Sequence, residues 1–382
     1  MDADVGVIGV GTIGSMAFWQ LAQEGVSVIG FEQFGIGHDR SAAGGETRIF
    51  RTAYKEGDSY VPVLEEAYNL WRKLESDTNN QLLTLTKGLM IGDPGSESIK
   101  NIFKSIEKYN LEHSILDYSE AKKHYPQHHL LPNEIMVVDY KAGYISAQYS
   151  IISAVKKAVE LGAILKSKTK VEEIEPDSDG VRIVANGVTY KVGKVLITAG
   201  PWSHELLREL RDYLEVRRLI NGWFFSKGKM EDFGEGNFPV FMREVNGISY
   251  YGVPAVDNGM VKIGLAGTPD DRIQKADHIN RNINIEDYSL LVKTVNNYFT
   301  GLYKDPARVN AYMETYTKDK HAIVGKLPGY NENVVVSTGF SGHGFKMAPV
   351  LGKISANLVM NQKVPFSLSK LSPDRFLNSK SG

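Results

Sequence analysis

The chain has no cysteine among its 382 residues. That excludes disulfides, thiolate metal centres, a cysteine nucleophile and a cysteinyl bond to any prosthetic group. No apolar run approaches the ~20 residues that a membrane-spanning helix needs. The opening MDADVGVIGVG has no basic stretch before its apolar residues, so no secretory leader is expected. The closing Lys380-Ser381-Gly382 is not a Ser-Lys-Leu address, and the expected compartment is the cytoplasm. Charge of one sign is also lacking: 44 Lys+Arg against 45 Asp+Glu give a net charge of -1. Neither nucleic acid nor a membrane surface is therefore expected as partner. Repeats and low-complexity segments are absent. The chain is 42% hydrophobic and 23% charged, which excludes a mainly disordered protein, and its length calls for a two-lobed unit or two domains.

What is present begins with a βαβ unit. Residues 5–8 read as a strand, 15–24 as a helix closed by Gly25, and 26–31 as a second strand, which implies a parallel sheet. Residues 58–77 and 149–162 read as helices. Strands are expected at 168–175, 181–185 and 188–192, with Asn186-Gly187 as a hairpin turn. A buried strand at 194–198 runs into Ala199-Gly200-Pro201-Trp202. Residues 216–317 hold alternating, aromatic-rich strands, such as 247–251 and 260–264, that suit an antiparallel sheet. A last apolar strand at 333–338 leads into a glycine cluster and a helix through Met360.

Gly9, Gly11 and Gly14 fit the spacing G-x-G-x-x-G between strand and helix. The first permits a sharp turn, the second removes a Cβ from the path of a pyrophosphate, and the third lets helix pack on strand. The helix N-terminus offers free N–H groups to phosphates. Glu32 ends the second strand 18 residues after Gly14 and suits an unphosphorylated adenosine ribose, so FAD or NAD rather than NADP. The turn at Ala199, Gly200 and Trp202 and the late glycine cluster favour FAD, because an NAD domain needs neither. The expected fold class is α/β: a Rossmann-like FAD-binding domain (1–85, 145–215 and 325–382) with an inserted substrate domain (86–144 and 216–324) on a mostly antiparallel sheet.

Three stretches carry a resemblance. Ser41-Ala42-Ala43-Gly44-Gly45-Glu46-Thr47-Arg48-Ile49-Phe50-Arg51, followed by Ala53-Tyr54-Lys55-Glu56, is similar to the segment after the second strand in the monomeric sarcosine oxidase and N-methyltryptophan oxidase family. Gly339-Phe340-Ser341-Gly342-His343-Gly344-Phe345-Lys346 resembles the C-terminal flavin motif of that family. Tyr250-Tyr251-Gly252-Val253-Pro254 and Val261-Lys262-Ile263-Gly264 resemble two strands of its substrate lobe. The resemblance implies an FAD oxidase of secondary amines, usually N-substituted amino acids. Hydride passes to the flavin, oxygen reoxidises it to give hydrogen peroxide, and the imine is hydrolysed.

The resemblance also assigns residues. Arg51 and Lys346 would hold a substrate carboxylate, with Glu56 directing Arg51 and with Tyr251 and Tyr316 as pocket walls. Arg48 and Lys262 would lie against the flavin, where positive charge stabilises a reduced anionic ring and favours reaction with oxygen. Cofactor contacts are expected from Gly9, Gly11, Thr12, Ile13 and Gly14, and from Glu32 and Gln33. Ser41, Gly45, Thr47 and Arg48 follow, then Val171, Ala199, Gly200 and Trp202. The last group is Gly339, Gly342, His343, Gly344, Phe345 and Lys346.

Three departures matter. The cysteine that tethers flavin in the family stands before a Tyr-Thr pair. Here the pair is Tyr316-Thr317 and the tether position falls at Glu314, so FAD is expected to be noncovalent. A histidine four residues after the flavin-facing lysine is Ala266 here, which favours an N-substituent bulkier than methyl, such as the fructosyl group of a glycated amino acid. Two further histidines are replaced by Ala42 and Ala43. The alternatives of another class are an NAD-dependent dehydrogenase and a flavoprotein subunit that is not an oxidase. The partners expected are a small amine and oxygen, with a monomer as the working form. His124 and His128 have i, i+4 spacing, but Pro126 between them breaks the helix that would align them, and no metal is expected.

Overall fold

The structure is a computed structural model that describes residues 1–256, 259–266, 272–330 and 332–377. Among these, the strands form three sheets. In the eight-stranded sheet, Ala3–Ile8 lies between Val28–Phe31 and Val188–Ile197, parallel to both. Ile164–Lys166 extends it beyond Val28–Phe31, and Val334–Thr338 runs parallel to Val188–Ile197. These central strands are apolar on both faces, as a sheet covered by helices requires. Helix Thr12–Gln23 supplies that cover with Ala147–Glu160 and Ala348–Val359, around fully buried Phe18, Trp19 and Trp71.

The nine-stranded sheet is antiparallel except where Val240–Val245 runs alongside Gly88–Gly92. Its long members, Leu214–Phe224 and Arg308–Thr317, pair over ten residues, and Ile248–Val253 and Val261–Leu265 follow in the same sheet. A small sheet joins Thr47–Phe50, Gly143–Ser146 and Leu83–Leu85. It carries Arg48 on an edge strand paired to the central strand Gly143–Ser146.

Several expectations shift. The strands expected at 188–192 and 194–198 are one strand, Val188–Ile197. Gly193 between them is a close approach rather than a break, since a Cβ there would stand 2.8 Å from the Asp4 carbonyl oxygen. The helix expected at 58–77 starts as a 3₁₀ turn, Asp58–Tyr60, and becomes α-helical at Val61–Thr78 with Pro62 in its first turn. The stretch read as strands also holds helix Ile285–Tyr298, whose Asn284–Asp287 capping box is a local start signal. Asn186 (φ 47°) and Gly187 (φ 73°) make the hairpin turn as expected. The helix before Pro126 ends at His124, while His128 is buried and stacked on Phe238 at 4.8 Å. Burial pushes the His128 pKa down to about 3, so the ring is neutral.

One buried ion pair ties the second sheet to its flank. Arg243 and Glu134 are both almost wholly buried and meet in a two-pronged contact, with Nε 2.8 Å from Oε1. Arg243 also donates to the His129 carbonyl and the Tyr250 hydroxyl. Replacing Arg243 with Leu strands a buried carboxylate, which is expected to cost about 3–5 kcal/mol. A denaturant midpoint unchanged by the substitution would show that the pair contributes nothing net.

Candidate active site

One large cavity, of about 1020 Å³, opens between the carboxyl ends of the parallel strands and the face of the nine-stranded sheet. Its first wall is the loop from Ile8 to Ile13. Gly9 has φ +85° and approaches Ala199, and a Cβ on Gly14 would overlap the Gly9 carbonyl at 1.9 Å. Nothing lies within 4 Å of a Cβ built on Gly11, so the middle glycine presents bare backbone to the cavity. Helix Thr12–Gln23 has no side-chain cap on its first N–H groups, which leaves them free for an anion. Glu32 is 4% exposed; one oxygen accepts from the Val10 amide at 3.1 Å and the other from the Phe34 amide at 2.9 Å. Each oxygen retains a lone pair for a hydroxyl donor. Trp202 is fixed by its indole N–H to Asp277 (2.7 Å) and packs against Phe34.

The opposite end of the cavity is cationic. Arg51 is 1% exposed and donates to both oxygens of Glu56, at 3.0 and 2.8 Å. Its Nε has no partner. Lys346 is 7% exposed and gives one hydrogen bond, to the His343 carbonyl at 3.3 Å. Both cations sit over the Tyr54 ring, at 4.4 and 5.5 Å from its centroid. The turn carrying Lys346 is pinned by the Trp71 indole, which donates to the Lys346 carbonyl, and by stacking of Trp71 on Phe345. Burial, followed by repulsion from Arg51, pulls the Lys346 pKa down to about 7. Burial opposes the charge on Glu56, but Arg51, then Lys346 and Lys55, outweigh it and hold its pKa near 2.

The wall includes every residue expected from the sequence except Gly14, Gly45, Thr47 and Lys262. Gly14 packs behind the loop, as its position in the fingerprint demands. Lys262 stands outside the lining. Its ammonium is buried behind the wall and donates to the carbonyls of Gly45 (2.8 Å) and Thr47 (2.7 Å). Arg48 stands in front of it on the wall, held by the carbonyls of Thr47, Ala42 and Gly44. Tyr251 lines the wall and donates to Asn221 at 2.9 Å, while Arg217 covers the Tyr316 ring at 4.6 Å. His343 packs against Tyr54 and Tyr60, with Nε2 3.1 Å from the Lys320 carbonyl. Burial pushes its pKa down to about 4, so it enters the site as a neutral ring.

Among the wall residues that had no role from the sequence are Lys55, Tyr60 and His321. Lys55 is largely buried beside Ser249, and burial lowers its pKa. Tyr60 and His321 form a hydrogen-bonded, stacked pair at 2.8 Å. Lys55 lies within a recognised motif, but its orientation is not a sequence property. Tyr60 and His321 are 261 positions apart, and no periodicity links them.

A bare glycine turn on a helix start, a buried acid at the second strand end and a second pass at Ala199-Gly200 fit the pyrophosphate and ribose of a dinucleotide. The fold and site thus define a dinucleotide-dependent enzyme whose cavity has a cationic end. Comparison with known proteins selects the dinucleotide. The chain belongs to the FAD dependent oxidoreductase family, whose model matches residues 4–358. It is 29% identical to the monomeric sarcosine oxidase of Streptomyces avermitilis over 373 residues, 97% of each chain. It is 31% identical to the human peroxisomal sarcosine oxidase, covering 98% of this chain and 96% of the relative. The N-methyl-L-tryptophan oxidase of Yersinia pestis is 30% identical over 98% of this chain and all of its own. Among solved structures, the fold matches NikD, an amino acid oxidase of nikkomycin biosynthesis, with a TM-score of 0.84 at 20% identity over 97% of both chains. The L-proline dehydrogenase of P. horikoshii matches with a TM-score of 0.81 at 19% identity over 99% of this chain and 98% of its own. The protein is an FAD-dependent oxidoreductase. No helix among the described residues is long and apolar enough to cross a membrane.

Proposed function

We propose that the protein oxidises the C–N bond of secondary amines that carry a carboxylate, that is, N-substituted amino acids. The observation that carries this reading is the buried pair Arg51 and Lys346 over Tyr54, facing the same cavity as the bare Gly11 turn. A wall of two buried cations with one internal carboxylate has spare positive charge for one anion. The names of the sequence relatives support the amine class. FAD would be held by Gly9–Ile13 backbone, Glu32, the Ala199-Gly200 turn and the Gly339–Gly344 backbone. When bound it accepts a hydride from the carbon beside nitrogen. The protein's own residues anchor the carboxylate, orient that carbon and exclude water through Tyr251 and Tyr316. Oxygen would be the acceptor, with hydrogen peroxide released, in a monomeric cytoplasmic enzyme. The FAD-binding part would comprise 1–85, 145–215 and 325–382, and the substrate part 86–144 and 216–324. A peroxide-coupled screen of N-methyl, cyclic and fructosyl amino acids tests the reading; flavin reduction by none of them overturns it.

A second reading within this class is a glycated amino acid as substrate. It rests on Ala266, which lines the wall where a larger side chain would fill space.

FAD is expected to be noncovalent, because there is no cysteine and the tether position is Glu314. Acid precipitation should release the flavin into the supernatant as intact FAD. Yellow colour retained in a washed pellet would disprove this.

A further inference from the structure

Glu314 stands on the cavity wall. It belongs to strand Arg308–Thr317, opposite Arg217 of the neighbouring strand. The pleat puts it on the same face as Tyr316. A Cβ built on Gly342 would stand 3.1 Å from the Tyr316 hydroxyl and 3.5 Å from Glu314 Oε2. That oxygen is buried and has no hydrogen-bond partner among the described residues. Other carboxylates of the wall are satisfied: Glu32 by two amides, Glu56 by Arg51, Glu205 by the Ala276 amide and Asp319 by Arg375. A buried carboxyl oxygen without a donor is costly, and a ligand that brings an N–H into the cavity removes that cost.

The position of Glu314 indicates which N–H. The charged and titratable groups that face it are Arg48, Lys262 and Lys346, with Tyr251 and Tyr316 at its sides and Arg217 on the adjoining strand. It therefore shares the cavity wall with Lys346 and Arg48 and lies within the electrostatic reach of both. An amino acid whose carboxylate rests on Arg51 and Lys346 has its nitrogen one carbon from that carboxylate.

Resting on the amine-oxidase reading above, we infer that Glu314 receives the secondary ammonium of the substrate and removes one of its protons. In this step one N–H bond of the ammonium breaks. Its electron pair stays on nitrogen as a lone pair, and the proton forms an O–H bond on the Glu314 carboxylate. The neutral amine can then lose hydride from the neighbouring carbon, which the cation cannot. An alkylammonium of pKa about 10 is only roughly one part in a thousand neutral at pH 7, so a base at this point raises the reactive fraction. Burial raises the Glu314 pKa, while Arg48, Lys346 and Lys262 oppose the rise. The raised value brings the carboxylate nearer the amine in basicity.

The test uses FAD-loaded protein and Glu314→Gln, which keeps shape and removes the negative charge. Two unreactive ligands are titrated by the change in the flavin spectrum: a trimethylammonio acid, carrying a cation and a carboxylate, and a thioether acid of equal length, carrying the carboxylate alone. The substitution should weaken the trimethylammonio acid by at least about tenfold and leave the thioether acid within about twofold. Anaerobic flavin reduction by a secondary amine should be slowed at pH 7, with the deficit closing toward pH 10 as free amine arrives from solution. Glu314→Asp should recover part of both losses. Should Glu314→Gln fail to retain FAD, the same ligand pair is read on Glu314→Asp, where selective weakening of the cationic ligand is again expected. Equal losses for both ligands, or a deficit that does not change with pH, overturn the role of Glu314. Failure of any secondary amine to reduce the unaltered protein would instead remove the proposed function.

Discussion

Arg51→Ala or Lys346→Ala should raise the Michaelis constant for acid substrates by roughly thirty-fold to several-thousand-fold. The range follows from the loss of one partner of a buried, hydrogen-bonded charge pair, about 2–5 kcal/mol. The two residues should not be equal. Arg51 already has an internal partner in Glu56, so its removal also leaves that carboxylate with only Lys346 and Lys55 as nearby cations. Lys346 has no carboxylate of its own within bonding distance among the described residues, and its loss acts directly on the ligand. For an amide analogue, which carries no carboxylate charge, both losses should shrink. Equal losses for acid and amide would show that these residues serve the fold or the cofactor.

The same lysine predicts a pH dependence with a defined sign. Its folded-state pKa is depressed to about 7, so the empty site holds the charged form only below that value. Carboxylate binding favours the charged form. Affinity for a thioether acid, which has no titrating amine, should therefore be constant below pH 7 and fall by up to about tenfold per pH unit above it. Lys346→Arg should flatten the profile, because guanidinium stays charged. A flat profile in the unaltered protein would place the Lys346 pKa well above 7.

Lys262→Met should slow reoxidation of the reduced enzyme by oxygen by orders of magnitude, while anaerobic reduction changes less. The motivation is charge. Lys262 lies beside Arg48 on one side of the cavity, and burial, followed by repulsion from Arg48, pulls its pKa well down; in its protonated form it adds to the Arg48 charge and favours a reaction that builds negative charge in front of the pair. The burial of Lys262 adds a second expected effect. Methionine cannot donate to the Gly45 and Thr47 carbonyls, so the segment carrying Arg48 should loosen and FAD affinity should fall modestly. Stopped-flow mixing of reduced enzyme with oxygen separates the two. A reoxidation rate unchanged in FAD-loaded protein removes Lys262 from the oxygen reaction and leaves it only the task of holding the Gly45–Arg48 segment.

The dinucleotide turn was legible because it is local. Gly9, Gly11 and Gly14 lie within six positions of one another, and the turn that needs them is made by those residues alone. Glu32 could be placed from the length of one helix and one strand. The Asn186-Gly187 hairpin was legible for the same reason, since left-handed backbone at both positions is a preference of those two residues. The carboxylate role proposed for Arg51 and Lys346 came from motif resemblance, and the structure sets the two side chains together over Tyr54, a residue that no spacing singles out. Lys262 marks the limit. Its strand was found, but its ammonium meets carbonyls 217 and 215 positions away, and only the packing of the small sheet against the large one determines that it lies behind Arg48. Glu314 marks the same limit from the other side. Resemblance placed it only as a flavin tether position, and it is the packing of Gly342 and of the strand of Arg217 against it that buries its Oε2. Sequence determines what a few neighbouring residues can do with their own backbone. Which face of a strand becomes the wall of a cavity depends on partners hundreds of residues apart, so the tertiary structure decided it.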